Sequence, residues 1–191
     1  MKKLFLFRHS LTLANEEGKY CGALDLHLSQ KGRDLLLKKK EAGLFPNIAQ
    51  AKVYSSPLIR VQETLRLLYP DLEYSIIPEL KEMSFGIFEN HSYEELKNNV
   101  DYQKWISGCN KKNICPQGES GALMEERVLK SFKHLLPMLE MNDLALFSHG
   151  GPIATIMNFL FPKENKNLYQ WQPDFACGWK VDIQGGTFES F

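Results

Sequence analysis

Two histidines end two short apolar runs, and what surrounds them suggests that they serve one pocket. His9 follows Leu4-Phe5-Leu6-Phe7-Arg8, and His149 follows Leu144-Ala145-Leu146-Phe147-Ser148 and precedes Gly150-Gly151. Apolar runs of this length read as buried strands. Open α/β sheets bind ligands in the crevice beyond the carboxyl ends of their strands. An arginine beside one histidine and two glycines beside the other suit that crevice to an anion. The chemistry such a set would perform is phosphoryl transfer, with a histidine as nucleophile.

A phosphomonoester asks for more than a nucleophile. Its dianion needs cationic or N–H donors to receive charge, and its leaving oxygen needs an acid. Arginine suits the first task because its planar fork grips two phosphate oxygens at once. The chain has five arginines, Arg8, Arg33, Arg60, Arg66 and Arg127. Arg8 ends a strand, and Arg60 falls in the first turn of a helix opened by Ser56-Pro57, so both are expected to reach a pocket at the strand ends. Arg33, Arg66 and Arg127 fall inside helical patterns, and the expectation for them is a solvated surface role. Glu79 and Glu82 follow in a loop as carboxyls of open purpose.

The elements that must position these groups alternate between short apolar runs and longer helical stretches, which favours an α/β fold. Residues 3–7 read as a strand. Ser29 caps a helix that runs to about Ala42, with Gly43 as its stop. Lys52-Val53-Tyr54 is a short strand, and Ser56-Pro57 supplies a cap and a first-turn proline for the helix that presents Leu58, Val61, Leu65 and Leu68 on one face. Residues 73–77 read as a third strand. Ser92-Tyr93-Glu94-Glu95 has the form of a capping box, and residues 107–118 read as a polar loop. A long helix from about Ser120 to Leu139 leads into a strand at 143–148, and residues 151–161 are helical again. Closing strands are expected at 175–183 and 187–191 around Gly185-Gly186.

At 191 residues the chain is expected to form one domain. The 23 basic and 23 acidic residues balance, so nothing points to a nucleic-acid partner, which needs a basic face. No apolar stretch is long enough to cross a bilayer. Met1-Lys2-Lys3 precedes an apolar run too short for a secretory signal, and the expected location is the cytoplasm. Cys21, Cys109, Cys115 and Cys177 are too scattered for a disulfide scaffold. Cys109 and Cys115 lack the histidine or Cys-x-x-Cys partner that would complete a zinc site, so reduced structural thiols are expected.

Several motifs then follow one another in a fixed order. They begin with Arg8-His9-Ser10-x-Thr12-x-x-Asn15, Tyr20-Cys21-Gly22 and Asp25-Leu26-x-Leu28-Ser29-x-x-Gly32. Tyr54-Ser55-Ser56-Pro57-x-x-Arg60-x-x-x-Thr64 and Pro78-Glu79-Leu80-x-Glu82-Met83-x-Phe85-Gly86-x-x-Glu89 come next. Pro116-x-Gly118-Glu119-Ser120 and Ser148-His149-Gly150-Gly151 close the series. Together they resemble the histidine phosphatase superfamily, the phosphoglycerate-mutase-like group. The stretch from Ile76 to Glu89 looks most like the alpha-ribazole phosphatase branch, which removes the 5'-phosphate of alpha-ribazole 5'-phosphate in cobalamin assembly.

The resemblance implies a three-layer α/β/α sandwich with a mostly parallel central sheet, and a small cap inserted at about residues 84–118. It implies that His9 attacks phosphorus and that Arg8, Arg60 and His149 bind the phosphoryl oxygens. Glu82 would protonate the leaving alkoxide and then activate water. Asn15, the Gly22 N–H, Thr12 and Cys21 would complete the substrate cradle. The implied partner is a small phosphorylated substrate, with no metal or other cofactor, because arginine and histidine supply the positive charge. Oligomeric state is not legible.

Three departures from the family pattern bear on function. Ser10 stands where the family has glycine, which puts the phosphate-loop geometry in doubt. Cys21 stands where a hydroxyl is usual, and a thiol is a poorer donor. Residues 90–118 contain no arginine, only Lys97, Lys104, Lys111 and Lys112. A mutase of this group binds a second phosphate with an arginine pair in that region, so phosphatase is favoured over mutase. Specificity is expected to reside in the cap, where Phe85, Phe88, Tyr93, Tyr102 and Trp105 are candidates either to stack a flat base or simply to pack a small subdomain.

Overall fold

The computed structural model describes residues 2–107 and 111–191. A six-stranded mixed sheet forms its centre: β1 (Lys3–Arg8), β2 (Lys52–Ser55), β3 (Ser75–Ile76), β4 (Leu144–Ser148), β5 (Gly178–Asp182) and β6 (Thr187–Ser190). Their spatial order is β3-β2-β4-β1-β5-β6. The first four are parallel, and β5 and β6 run antiparallel along one edge. The helices are α1 (Leu13–Glu16), α2 (Gln30–Glu41), α3 (Ile59–Leu68), α4 (Tyr93–Leu96), α5 (Val100–Ser107), α6 (Gly121–Leu139), α7 (Gly150–Leu160) and α8 (Leu168–Trp171).

The central strands are apolar without alternation because both faces are covered. Leu4 and Leu6 of β1 and Leu144 and Leu146 of β4 point into one core, which they share with Val128, Phe132 and Leu135 of α6 and Ile153 and Ile156 of α7. Phe5, Phe7, Ala145 and Phe147 point into the other, against Leu36 of α2 and Val61, Leu65 and Leu68 of α3. The period of two along each strand thus divides one apolar run between two cores, as a three-layer fold requires. From the described residues of segment 84–118, Phe88, Leu96, Tyr102, Trp105 and Cys115 all contribute to the first core. No helix among the described residues is long and apolar enough to cross a membrane.

Local signals placed most elements well. The Ser29 hydroxyl accepts the Gly32 N–H at the start of α2, and Gly43 lies just past its end at φ +68°. Ser92 and Glu95 form the reciprocal capping box of α4. Three expectations need correction. α3 begins at Ile59 rather than at Pro57, because the Ser56 hydroxyl is engaged elsewhere and the Ile59 N–H finds the Asp25 carboxylate at 2.6 Å instead. The third strand shrinks to two exposed residues at the sheet edge, where only one partner is available. The fifth starts at Gly178, since residues 175–177 turn beneath the strand ends with Ala176 at φ +55°. Helices α1, α5 and α8 were not anticipated.

Candidate active site

Strand register brings the two histidines together. Arg8 of β1 lies opposite Ser148 of β4, and Ser55 of β2 lies opposite Phe147. The residues that follow, Ser56, His149 and His9, therefore stand side by side beyond the carboxyl ends of three parallel strands. The His9 N–H donates to the Ser148 carbonyl at 3.2 Å, and the two imidazole rings lie 5.0 Å apart. Both histidines are buried.

Each ring has one resolved arrangement of donors and acceptors. His9 Nδ1 donates to the Ser10 carbonyl at 2.6 Å, and His9 Nε2 accepts Arg60 Nε at 3.2 Å. Nε2 is thus the unprotonated nitrogen, as an attacking imidazole requires, and its lone pair accepts from Arg60. His149 Nδ1 accepts Arg60 Nη2 at 3.1 Å, so its Nε2 carries the proton and donates to Ser56 Oγ at 2.8 Å. Burial pushes both histidines well below the ordinary imidazole value. The Arg60 guanidinium adds to this at each, and Arg8 adds a smaller share. Both rings are neutral at neutral pH.

Arg60 is fully buried, and its guanidinium also donates to the Leu24 carbonyl at 2.6 Å and the Gly22 carbonyl at 2.7 Å. Those carbonyls anchor the fork while it contacts both histidines. Arg8 donates through Nη1 to the Pro173 carbonyl at 2.7 Å, and its guanidinium lies 4.0 Å from the centre of the Phe175 ring. Its Nε is buried without a partner among the described residues.

Glu82 reaches the same cavity from the loop before segment 84–118. One carboxylate oxygen accepts the Met83 N–H at 2.9 Å, and the other accepts the Gly151 N–H at 3.1 Å in the first turn of α7. A helix N-terminus favours such an anion. The approach depends on glycine, because a Cβ at Gly151 would overlap the Glu82 carboxylate.

A cavity of about 600 Å³ is lined by Arg8, His9, Asn15, Cys21, Gly22, Arg60 and Glu82. His149 lies behind Arg60 rather than on the wall. Thr12 is also off the wall: it is buried, and its hydroxyl caps α1 by accepting the Asn15 N–H and donating to Asn15 Oδ1 at 2.9 Å. That box occupies the Asn15 oxygen. Gly22 takes φ +39°, and a Cβ there would overlap Glu89 and Phe85. The Cys21 thiol lies 3.7 Å from Thr12 Oγ1, and burial raises it above the usual thiol value. Cys115 is fully buried, and Cys109 lies outside the described residues.

The serine that replaces glycine is turned away from the cavity. Ser10 Oγ donates to the Gly32 carbonyl of α2 at 2.8 Å, and the Ser10 N–H donates to Thr64 Oγ1. Ser10 has no left-handed backbone conformation, so the fold tolerates its side chain. Glycine is needed instead at Gly32, where a Cβ would overlap the Leu11 carbonyl.

Away from the phosphate end the wall becomes aromatic and apolar, with Tyr20, Phe85 and Trp105 joined by Met83 and Met124. Tyr20 and Phe85 lie 5.0 Å apart, and Trp105 lies 5.9 Å from each. Of the other expected stacking residues, Phe88 and Tyr102 are packed inside the core and Tyr93 is exposed. Sequence reading missed the C-terminal wall, Gln172, Phe175 and Tyr169. No periodicity marks these residues, and only the return of the chain beneath Arg8 brings them in.

A family model described as histidine phosphatase superfamily (branch 1) matches residues 4–190. The adenosylcobalamin/alpha-ribazole phosphatase of Escherichia coli (strain K12) is 28% identical over 185 residues, which cover 95% of this chain and 90% of that protein. The solved alpha-ribazole phosphatase of Shigella flexneri superposes with a TM-score of 0.82 at 26% identity, covering 97% of this chain and 93% of the other. Phosphoserine phosphatase from Entamoeba histolytica, solved in complex with 3-phosphoglyceric acid, superposes with a TM-score of 0.78 at 27% identity, covering 100% and 95%.

Proposed function

The chain belongs to the histidine phosphatase superfamily, branch 1, and from that membership we propose that it hydrolyses phosphomonoesters without a metal, through a phosphohistidine formed on His9. The observation that carries the proposal is the His9 ring. Its Nδ1 proton is committed to Ser10, so Nε2 is the unprotonated nitrogen, and it meets Arg60 in a cavity that Arg8 also lines.

In the first step Nε2 attacks phosphorus, the N–P bond forms and the bond to the leaving oxygen breaks. Glu82 gives that oxygen a proton. Arg8 and Arg60 receive the charge on the equatorial oxygens. His149 acts from behind the wall: its Nδ1 accepts Arg60 Nη2 and so helps hold the guanidinium that meets the phosphoryl oxygens. Asn15 and the Gly22 N–H complete the cradle, with Cys21 as a packing wall and Thr12 as the residue that holds Asn15. In the second step water attacks phosphorus, Glu82 accepts its proton, and the P–N bond breaks to return His9 and inorganic phosphate.

The substrate we propose is alpha-ribazole 5'-phosphate. The kinship with alpha-ribazole phosphatases supports this, as does the aromatic wall of Tyr20, Phe85 and Trp105 beside the phosphate end. Segment 84–118 acts as the specificity cap, and the expected setting is the cytoplasm. Lys111, which lines the cavity from this segment, is paired with Glu125 at 2.6 Å, and no arginine accompanies it. That arrangement favours a phosphatase over a mutase that must bind a second phosphate.

The test is phosphate release from alpha-ribazole 5'-phosphate, p-nitrophenyl phosphate and common sugar phosphates, in chelator, with His9→Ala as control. Turnover that strongly favours the ribazole ester and is lost in the variant supports both mechanism and substrate. Similar low turnover of every ester keeps the mechanism and replaces the substrate with a broad range of small phosphates. Absence of turnover with all of them sinks the enzymatic reading in favour of a phospho-ligand-binding domain.

A further inference from the structure

Arg127 lies outside the cavity, yet its whole guanidinium is committed to the loop that carries Glu82. Nε and Nη2 grip the two oxygens of Glu119 at 2.7 and 2.8 Å. Nη1 donates to the carbonyls of Glu79 and Lys81 at 2.5 and 2.9 Å, and Nη2 also donates to the carbonyl of Glu82 itself at 2.9 Å. Five contacts match the five N–H donors of an arginine. Glu119 in turn accepts the Ser84 N–H at 3.0 Å, so the pair brackets Glu82 from both sides along the chain.

This geometry is not what a loop would need merely to stay attached. Leu80, two residues before Glu82, is already fully buried, and Met83 is buried on the other side. The clamp acts on the intervening backbone, while the Gly151 N–H holds the carboxylate end. One anchor comes from α6 and the other from α7, so the Glu82 carboxyl is fixed relative to two packed helices. A proton donor must sit within hydrogen-bond reach of the leaving oxygen, and a displacement of about 1 Å can cost about a hundredfold in rate.

We propose that Arg127 is a positioning residue for proton transfer: through its clamp with Glu119 it sets where the Glu82 carboxyl meets the leaving group. The inference rests on the reading of Glu82 as the proton donor. It predicts a dependence on the leaving group that a general structural role would not produce. An aryl phosphate such as p-nitrophenyl phosphate expels a stable anion and needs little protonation, whereas an alkyl phosphate such as glycerol phosphate needs the acid.

The experiment measures kcat/KM, which reports the first chemical step, for both esters in Arg127→Lys, Glu119→Gln, Glu82→Gln and the Arg127→Lys/Glu82→Gln double variant. A lysine keeps the charge but has no planar fork to hold three carbonyls and a carboxylate. The expected result is a loss on the order of a hundredfold for the alkyl ester and only about a few-fold for the aryl ester in Arg127→Lys. Glu119→Gln should show the same bias more weakly, and the double variant should show an alkyl-to-aryl ratio no lower than that of Glu82→Gln. Should Arg127→Lys fail to fold by thermal melting, Glu119→Gln carries the test. Equal losses on both esters, with Glu82→Gln still selective, overturn the clamp as a catalytic device. A Glu82→Gln variant that treats both esters alike overturns the assignment of Glu82, and the inference with it.

Discussion

His9 donates its Nδ1 proton to the carbonyl of the next residue, Ser10, at 2.6 Å, and this one bond decides which nitrogen is free to attack. The acceptor is backbone, so no side-chain substitution at position 10 removes it. That position is nevertheless where the chain departs from its family, and the consequence is testable. Ser10 Oγ binds the Gly32 carbonyl rather than facing substrate. Ser10→Gly should therefore leave kcat/KM near that of the parent and lower stability by about 1 kcal/mol, the net value of one hydrogen bond, with the added flexibility of glycine in the same direction. Thermal melting and phosphate release on the same preparations check this. A marked gain in turnover would show that the hydroxyl does hinder the phosphate loop.

The neutral histidines make the fold acid-sensitive. Burial first, and Arg60 next, hold His9 and His149 well below 6.5 in the folded chain, whereas the unfolded chain takes up protons near that value. The unfolded state thus binds more protons as pH falls. The stability owed to the neutral rings is complete above about pH 6.5 and declines below it, by up to about 1.4 kcal/mol per pH unit for each histidine. At about 2–4 °C per kcal/mol, the melting temperature should drop measurably between pH 7.5 and 5.5. His9→Asn should flatten that slope. An unchanged slope in the variant would mean that His9 is not held neutral by its surroundings.

Gly151 is required for the approach of Glu82, not for helix geometry. In Gly151→Ala the new methyl group occupies the space of the Glu82 carboxylate, although alanine is the better helix former. The carboxylate must move away from the Gly151 N–H. We expect kcat/KM on an alkyl phosphate to fall by roughly tenfold to a hundredfold, with binding of inorganic phosphate, measured by calorimetry, nearly unchanged. A variant with full activity would show that Glu82 need not sit at the N-terminus of α7.

Ser56 holds the second histidine. Ser56→Ala leaves the buried Nε2–H of His149 without its acceptor, at a cost of about 1–3 kcal/mol. The ring is then free to turn from Arg60. Both melting temperature and phosphate affinity should fall, and Ser56→Thr, which keeps the hydroxyl, should recover part of each. Loss of stability with phosphate affinity intact would confine Ser56 to folding.

Much of the architecture was legible because it is written in local signals. The apolar runs at 4–7 and 144–147 read as buried strands and are, and Ser29 with Gly43 bounded α2 to within a residue. Where a local signal had a distant competitor it misled. Ser56 looked like a cap for α3 and is instead the partner of His149, and Asp25 caps the helix from 34 residues away. Arg127 looked like a solvated helix residue and is the anchor of the Glu82 loop.

The sequence by itself determined the chemistry on offer: an arginine-histidine pair at one strand end, a second histidine at another, and a carboxylate between them in chain order. Residue type sets what a side chain can donate or accept, and the strand period sets which residues end at the crevice. Only the tertiary structure decided which of those capacities face the cavity. Strand register placed His149 behind Arg60. The capping box turned the Thr12 hydroxyl away, and the returning chain at 172–175 closed the wall under Arg8. Each of these turns on contacts between residues far apart in the chain. Such contacts form only when the cores pack, so no window of sequence contains them.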